Sequence, residues 1–424
     1  MAITDKEEGV WSVDQVYNKI NQGGIWDYDG SLSGSLYLWG TGYYGAIGNN
    51  KADGHNPAPS VYILSPNQVP GTWANAMFTS NGCNFNGGIK TDGTLWLWGN
   101  NTYGALGQNE SNPQRRSSPV QVPGTDWRKM SDTPGSNAVS AQGSASGANT
   151  TCFAFKTDGT LWGWGANEVG MLAQPGDNYS GSGSGPGPHK SSPVQIPGTN
   201  WKLVAGSAYN NAFGIKTDGT LWSWGENDNG TLGQNTQGPS GRRSSPVQLP
   251  GTTWKTVICG GGSDCVLATK TDGTMWGWGS NLRGQIGHDN ESGPNAKYSS
   301  PVQISGTTWD RPINAGGDAT VVLKTDGTLW GMGRNEQGEL GLNNANSISS
   351  PAQVGTDTDW KDGAGKQGTT FGLKTDGSLY SWGVGQNGTL GLNESGTVRK
   401  SSPTQIPGTW LTVHNWNEGG GGLK

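Results

Sequence analysis

Apolar and polar residues alternate along this chain in short, recurring runs. The clearest run, Lys-Thr-Asp-Gly-Thr-Leu-Trp-Leu-Trp-Gly at 90–99, returns with small changes at 156–165, 216–225, 270–279, 324–333 and 374–383. After each Asp-Gly pair the period is two, so Leu221 and Ser223 fall on one side and Trp222 and Trp224 on the other. That spacing predicts a strand. Asp-Gly between alternating residues predicts a hairpin turn of the type I′ form, which needs positive φ at both central residues. Asp92-Gly93, Asp158-Gly159, Asp218-Gly219, Asp272-Gly273, Asp326-Gly327 and Asp376-Gly377 are therefore read as turns. Trp201-Lys-Leu-Val-Ala-Gly206 and Ala212-Phe-Gly-Ile-Lys216 supply further strands.

Two more phrases keep step with the first. Asn-x-x-Gly-x-Leu-Gly follows it, as at 227–233. Ser-Ser-Pro-Val-Gln-x-Pro-Gly-Thr-x-Trp comes next, as at 117–127, around Pro66, Pro119, Pro193, Pro246, Pro301, Pro351 and Pro403. With a degenerate first copy at 34–40, each phrase counts seven. Lysine-to-lysine spacings of 66, 60, 54, 54 and 50 residues leave room for about four short strands per unit. The prediction is an all-β, seven-bladed β-propeller. It spans 25–415, with a docking segment at 1–24 and a Gly-rich tail at 416–424. A strand from Trp410-Leu-Thr-Val413 is expected to complete a blade begun at 25–40, closing the ring.

Composition fits this reading. Of 424 residues, 74 are Gly and 21 Trp, which suits tight turns and flat core side chains. The net charge of −5 argues against a nucleic-acid partner. No apolar run approaches about 18 residues, so no membrane insertion is expected. The polar start, Met1-Ala-Ile-Thr-Asp-Lys-Glu-Glu8, has no secretory pattern.

The repeated phrases resemble the regulator of chromosome condensation repeat, a family of seven-bladed propellers. Asp-Gly-x-Leu-Trp-x-Trp-Gly and Asn-x-x-Gly-x-Leu-Gly carry the resemblance over about 25–415. It implies the fold and leaves the task open, since its members include a nucleotide-exchange factor, a β-lactamase inhibitor and a UV-B sensor. The exchange factor's wedge and the sensor's Gly-Trp-Arg-His-Thr string have no counterpart here. The very regular Lys-Thr-Asp-Gly-Thr-Leu-Trp form also looks like propellers of marine tailed phages, and Gly9-Val-Trp-Ser-Val-Asp-Gln-Val-Tyr17 looks like leader segments of phage virion proteins. That likeness implies virion proteins or a host surface component as partners, and a virion location. Without a phage origin the expected location is cytoplasmic.

Function is expected where the repeats differ. In 1–24, Ser12 and Gln15 resemble a capping box, and Val13, Val16, Tyr17 and Ile20 share a helical face beside Trp11. They are read either as a docking segment or as a strap on the propeller's own rim. Cations recur just before Ser-Ser-Pro: Arg115, Arg116, Lys190, Arg242, Arg243, Lys297, Arg399 and Lys400. Pseudo-symmetry would make them a broken basic ring facing an anionic partner. The alternative is a set of solvated turn residues. Tyr43, Tyr44, Tyr62 and Tyr179 are the residues for a lectin-like alternative. Cys259 and Cys265 either face each other across a hairpin or are two buried thiols. His55, His189, His288 and His414 show no ligand spacing, and no phosphate loop or nucleophile elbow is present. No cofactor, no metal and no catalytic residue is expected. The leading expectation is a non-catalytic interaction propeller of a phage particle. A soluble regulator that caps a partner is the alternative.

Overall fold

The computed structural model describes residues 34–41, 45–49, 62–77, 85–110, 115–128, 139–143, 150–167, 169–174, 189–206, 210–260, 264–288, 296–314, 316–366, 368–386, 388–416 and 419–424. All its sheets are antiparallel. β1 (Gly34–Thr41), β2 (Tyr62–Met77), β3 (Phe85–Lys90), β4 (Leu95–Asn100) and β5 (Arg115–Gln121) lie side by side. Four-strand sheets follow in chain order. The first holds β6 (Val139–Gly143), β7 (Thr150–Phe155), β8 (Leu161–Gly165) and β9 (Lys190–Gln195). The next holds β10 (Trp201–Gly206), β11 (Asn211–Lys216), β12 (Leu221–Gly225) and β13 (Arg243–Gln248). Then come β14 (Trp254–Cys259), β15 (Cys265–Lys270), β16 (Met275–Ser280) and β17 (Lys297–Ile304). After them come β18 (Trp309–Asn314), β19 (Ala319–Lys324), β20 (Leu329–Gly333) and β21 (Ile348–Gln353). The last holds β22 (Trp360–Lys366), β23 (Thr369–Lys374), β24 (Ser378–Gln386) and β25 (Thr397–Thr409). β26 (His414–Trp416) and β27 (Gly419–Leu423) return to the first sheet beside β1.

The propeller thus has six blades, where the repeat count predicts seven. The cause is β2. Its 16 residues run on without a break, pairing with β1 through 62–73 and with β3 through 73–77. The first two repeat units therefore share one seven-stranded sheet. Gly71, at φ +123°, turns the corner inside the strand where a Cβ would be strained.

The Asp-Gly hairpins form, but not as type I′ turns. Gly93 N–H donates to Lys90 O at 3.0 Å and has φ +81°, whereas Asp92 has no positive φ. The turn is centred on Thr91-Asp92, with Gly93 as a left-handed residue after it, the three-residue form. Asp92 stays right-handed because its carboxylate is occupied. Oδ1 accepts the Thr94 backbone N–H at 3.0 Å and its hydroxyl at 2.6 Å. The Thr94 hydroxyl oxygen in turn accepts Trp96 Nε1–H at 2.7 Å. The same chain runs through Asp158–Thr160–Trp162, Asp218–Thr220–Trp222, Asp272–Thr274–Trp276 and Asp326–Thr328–Trp330. These bonds, the threonine hydroxyl first, hold each carboxyl below its ordinary pKa.

Successive repeat units are pinned to one another by tryptophan. The second Trp of each Trp-x-Trp is buried and donates to a carbonyl in the preceding unit's Asn-x-x-Gly-x-Leu-Gly loop. Trp98 reaches Ala46 O at 2.9 Å, Trp224 reaches Met171 O at 2.8 Å and Trp278 reaches Thr231 O at 2.7 Å. The first Trp is half-buried beneath the phrase's lysine. Lys216 Nζ lies 4.9 and 4.4 Å from the Trp201 and Trp222 ring centroids, a cation held between two π faces. Lys90, Lys156, Lys270, Lys324 and Lys374 repeat this contact with their own aromatic pairs.

Closure falls to the very end of the chain. The segment expected to be a Gly-rich tail is β27, which pairs with β26 on one side and β1 on the other, with Leu36 opposite Leu423 and Gly40 opposite Gly419. The expected closing strand at 410–413 lies just before β26. The glycines serve close packing, since a Cβ on Gly420 would sit 2.6 Å from Trp39 Cζ2 and 2.8 Å from Phe371 Cζ. Lys424 then supplies the lysine missing from the degenerate first phrase, with Nζ 4.1 Å from Trp410 and 5.2 Å from Tyr37.

Candidate functional site

The meander topology gives the ring two unlike sides. The connections between first and second strands and between third and fourth strands leave one side, and the Asp-Gly turns close the other. The longest connections, 42–61 between β1 and β2 and 166–189 between β8 and β9, join strand ends on the first side. The connection between β6 and β7 does the same.

The predicted basic residues lie at one register, the start of the outermost strand. Arg116, Lys190, Arg243 and Lys400 sit opposite Gly99, Gly165, Gly225 and Gly383. Arg115, Lys297 and Arg399 sit one step further out, opposite Asn100, Ser280 and Val384. Arg242 precedes Arg243 at the end of a short 3-10 turn (Pro239–Gly241). Ile63, Tyr298 and Ile348 hold the register where no cation stands.

Most of these cations are already engaged. Arg116 meets Glu110 at 3.2 Å and Lys400 meets Glu394 at 2.9 Å. Arg243 donates to Arg242 O at 2.9 Å. Lys190 and Arg399 make no ion pair among the described residues, and Arg399 is exposed. The register is therefore a mixture of ion-paired, hydrogen-bonded and open cations.

One stretch departs furthest from the repeat. Arg242, with 11% of its side chain exposed, lies between Glu226 at 2.8 Å and Asp228 at 3.0 Å. Burial pushes the Glu226 pKa up to about 7, helped by Asp228 and opposed by Arg242. Asn229 accepts Lys297 Nζ–H at 2.5 Å and donates to the Asp264 carboxylate. Burial raises Asp264 to about 6, against the pull of Asn229. Asp264 precedes β15 and Lys297 opens β17, so this network bridges two blades. A second bridge follows, where Gln285 donates to Asp318 at 3.1 Å and Arg283 meets Glu336 at 3.8 Å. Asp228 and Asn229 hide in the variable positions of Asn-x-x-Gly, and Asp264 in a turn outside every phrase. Charged residues in those variable positions are the signal that reading the phrases alone passes over.

Trp11, Val13, Val16, Tyr17 and Ile20 lie outside the described residues, as do Tyr43, Tyr44 and Tyr179. Cys259 and Cys265 are free and buried. Cys259 sits opposite Val266, so Cys265, one step along, points to the other face of the sheet. The two thiols enter different core clusters and do not face each other.

The family profile of the RCC1-like domain matches residues 35–422. The RCC1 domain-containing protein RUG3, mitochondrial, of Arabidopsis thaliana is 26% identical over 338 residues, covering 76% of this chain and 67% of that protein. E3 ubiquitin-protein ligase HERC2 of Homo sapiens is 27% identical over 268 residues, 62% of this chain but only 5% of that protein. Among solved structures, Prp20p of Saccharomyces cerevisiae, described with its binding to Gsp1p and histones, superposes with a TM-score of 0.75. It shares 18% identity, and 94% of each chain is covered.

Proposed function

This chain belongs to the RCC1-like domain family, and from that membership we propose a non-catalytic protein-interaction propeller whose contact surface is the loop-bearing side. One observation carries the reading: the long connections, the charged register and the two-blade network of Arg242, Asn229 and Asp264 all leave the ring on that side. Rigid scaffolds bind through such variable connections. A partner surface of mixed charge suits a rim where ion pairs alternate with Lys190, Lys297 and Arg399, which make no ion pair among the described residues. The binding named for Prp20p favours a protein partner for this chain too.

The test is retention of partners from extracts of the source cells on the immobilised full chain. The variant Lys190→Ser/Lys297→Ser/Arg399→Ser spares the buried Arg242 and the Asn229–Asp264 bond, and gives up only the exposed Lys297 contact of that network. It is expected to lose most retained protein at low salt. Equal retention by variant and parent, at low and high salt alike, would reject the loop-bearing side as the contact. The particle-associated form of this proposal rests on the regular phrase and on residues 9–17. Sedimentation of the chain with particles, lost on deleting 1–24, is its separate test.

A further inference from the structure

On the hairpin-turn side, the residue after the third-phrase Trp falls at a bulge in five of the seven units. Trp201 and Leu203 pair with Lys216 and Ile215, which leaves Lys202 out of register. The same skip follows Trp73, Trp254, Trp309 and Trp360. β2, β6, β10, β14, β18, β22 and β26 touch in succession, so the positions on or just before these strands run around the ring axis. Counted by the phrase, they are Ala74, Arg128, Lys202, Lys255, Asp310, Lys361 and Leu411. The flanking tryptophans repeat, but these residues do not.

Contacts run from one innermost segment to the next. Arg128 donates to Trp201 O at 3.2 Å and Lys202 O at 2.6 Å. Lys255 Nζ meets Asp310 at 2.5 Å, and Arg311 bridges Asp310 at 2.7 Å and Asp362 at 3.2 Å. Both carboxylates are thus taken. Lys202 and Lys361 make no ion pair among the described residues, and Lys361 is exposed. Leu411, 38% exposed, is one of two exposed large apolar residues among those described.

We propose that this axial mouth docks an acidic polypeptide segment carrying an apolar side chain. Arg128, Lys202, Lys255, Arg311 and Lys361 outnumber Asp310 and Asp362, in a chain whose net charge is −5. The local field therefore opposes that of the whole molecule and draws carboxylates to this spot. The surrounding turn aspartates stay charged on their threonine hydrogen bonds and are offset in number by the turn lysines that lie over tryptophan. Lys202 and Lys361 are separated by two intervening ring positions, so carboxylates spread along a segment match them better than one small anion does. Leu411 gives that segment an apolar contact at the rim of the charges. The proposal is independent of the loop-bearing side and uses none of its residues.

The probe is a fluorescein-labelled peptide of four glutamates, one leucine and four glutamates, titrated with the full chain by fluorescence anisotropy. Saturable binding that weakens with salt is expected, and none for the peptide with serine in place of glutamate. Lys202→Ser/Lys361→Ser/Leu411→Ser should weaken it by about tenfold. Exposed Lys361→Glu alone should weaken it in the same direction, while Lys190→Ser/Lys297→Ser/Arg399→Ser leaves it unchanged. No saturable binding, equal affinity in parent and mouth variants, or loss only in the loop-side variant would each overturn the proposal. Tighter binding of a nine-nucleotide thymidine strand would overturn it in favour of a nucleic acid.

Discussion

Asp264 illustrates how position sets the behaviour of a single side chain. It holds φ +48°, a left-handed conformation that Asp and Asn tolerate better than most residues. It is buried, and its pKa of about 6 lies above the ordinary 3.8. Because the folded value is the raised one, the native state holds this proton more tightly than the unfolded chain. The stability it contributes is full below about pH 4 and is lost as pH rises through 6. Asp264→Asn keeps the shape, the left-handed φ and a polar partner for Asn229 while removing the titration. Relative to the variant, the parent is expected to lose about 2 kcal/mol between pH 4 and pH 7, measured by urea unfolding. Parallel pH profiles would show that Asp264 ionises freely. Glu226 titrates in the same sense, so the comparison must be parent against variant and not pH against pH.

At the scale of elements, the phrases made most strands and every Asp-Gly hairpin legible, because period-two alternation and turn glycines are local properties. The turn type was not legible. Asp-Gly favours type I′ in isolation, but the following threonine captures the Asp92 carboxylate and keeps that residue right-handed. The Asn-x-x-Gly-x-Leu-Gly phrase carries a further constraint that alternation does not reveal. Its last glycine lies under the next unit's buried Trp. A Cβ on Gly341, at φ +73°, would stand 2.8 Å from Trp382 Nε1. Gly396 has a similar φ of +80° with nothing within 4 Å. Gly396→Ala should therefore cost about 1 kcal/mol, the left-handed strain alone, and Gly341→Ala roughly 2–4 kcal/mol once overpacking is added. Urea unfolding of both variants checks this, and equal losses would mean that Trp382 moves aside without cost. Of the candidate site, the register of Arg116, Lys190, Arg243 and Lys400 was legible from the phrase. The carboxylate partners of Arg116, Arg242 and Lys400 were not: Glu226 and Asp228 become neighbours of Arg242 only after the connection folds back on itself.

The whole molecule is decided by pairings that no local pattern contains. Counting phrases gives the number of units, yet β2 runs through the boundary between the first two and joins them into one sheet. The place of the closing strand was not legible for a related reason. A run of glycines reads as a flexible tail, and only Trp39, Phe371 and Trp410 lying against it explain why side chains are excluded there. β27 is hydrogen-bonded on both edges, so its removal would leave β1 and β26 without their shared partner. Lys424 adds the cation–π contact that every other unit draws from its own phrase. Lys424→Met keeps the stem and removes the charge, and is expected to cost about 0.5–2 kcal/mol. Deleting 419–424 removes that contact together with the backbone pairing and the buried Leu423, and should cost several times as much. Tryptophan fluorescence reports both, since Trp39 and Trp410 sit at the seam. If the ring is held shut by β27, the truncated chain melts earlier and the seam tryptophans become exposed before the rest. If the truncated chain and the Lys424→Met variant melt together, the single lysine and not the strand holds the seam.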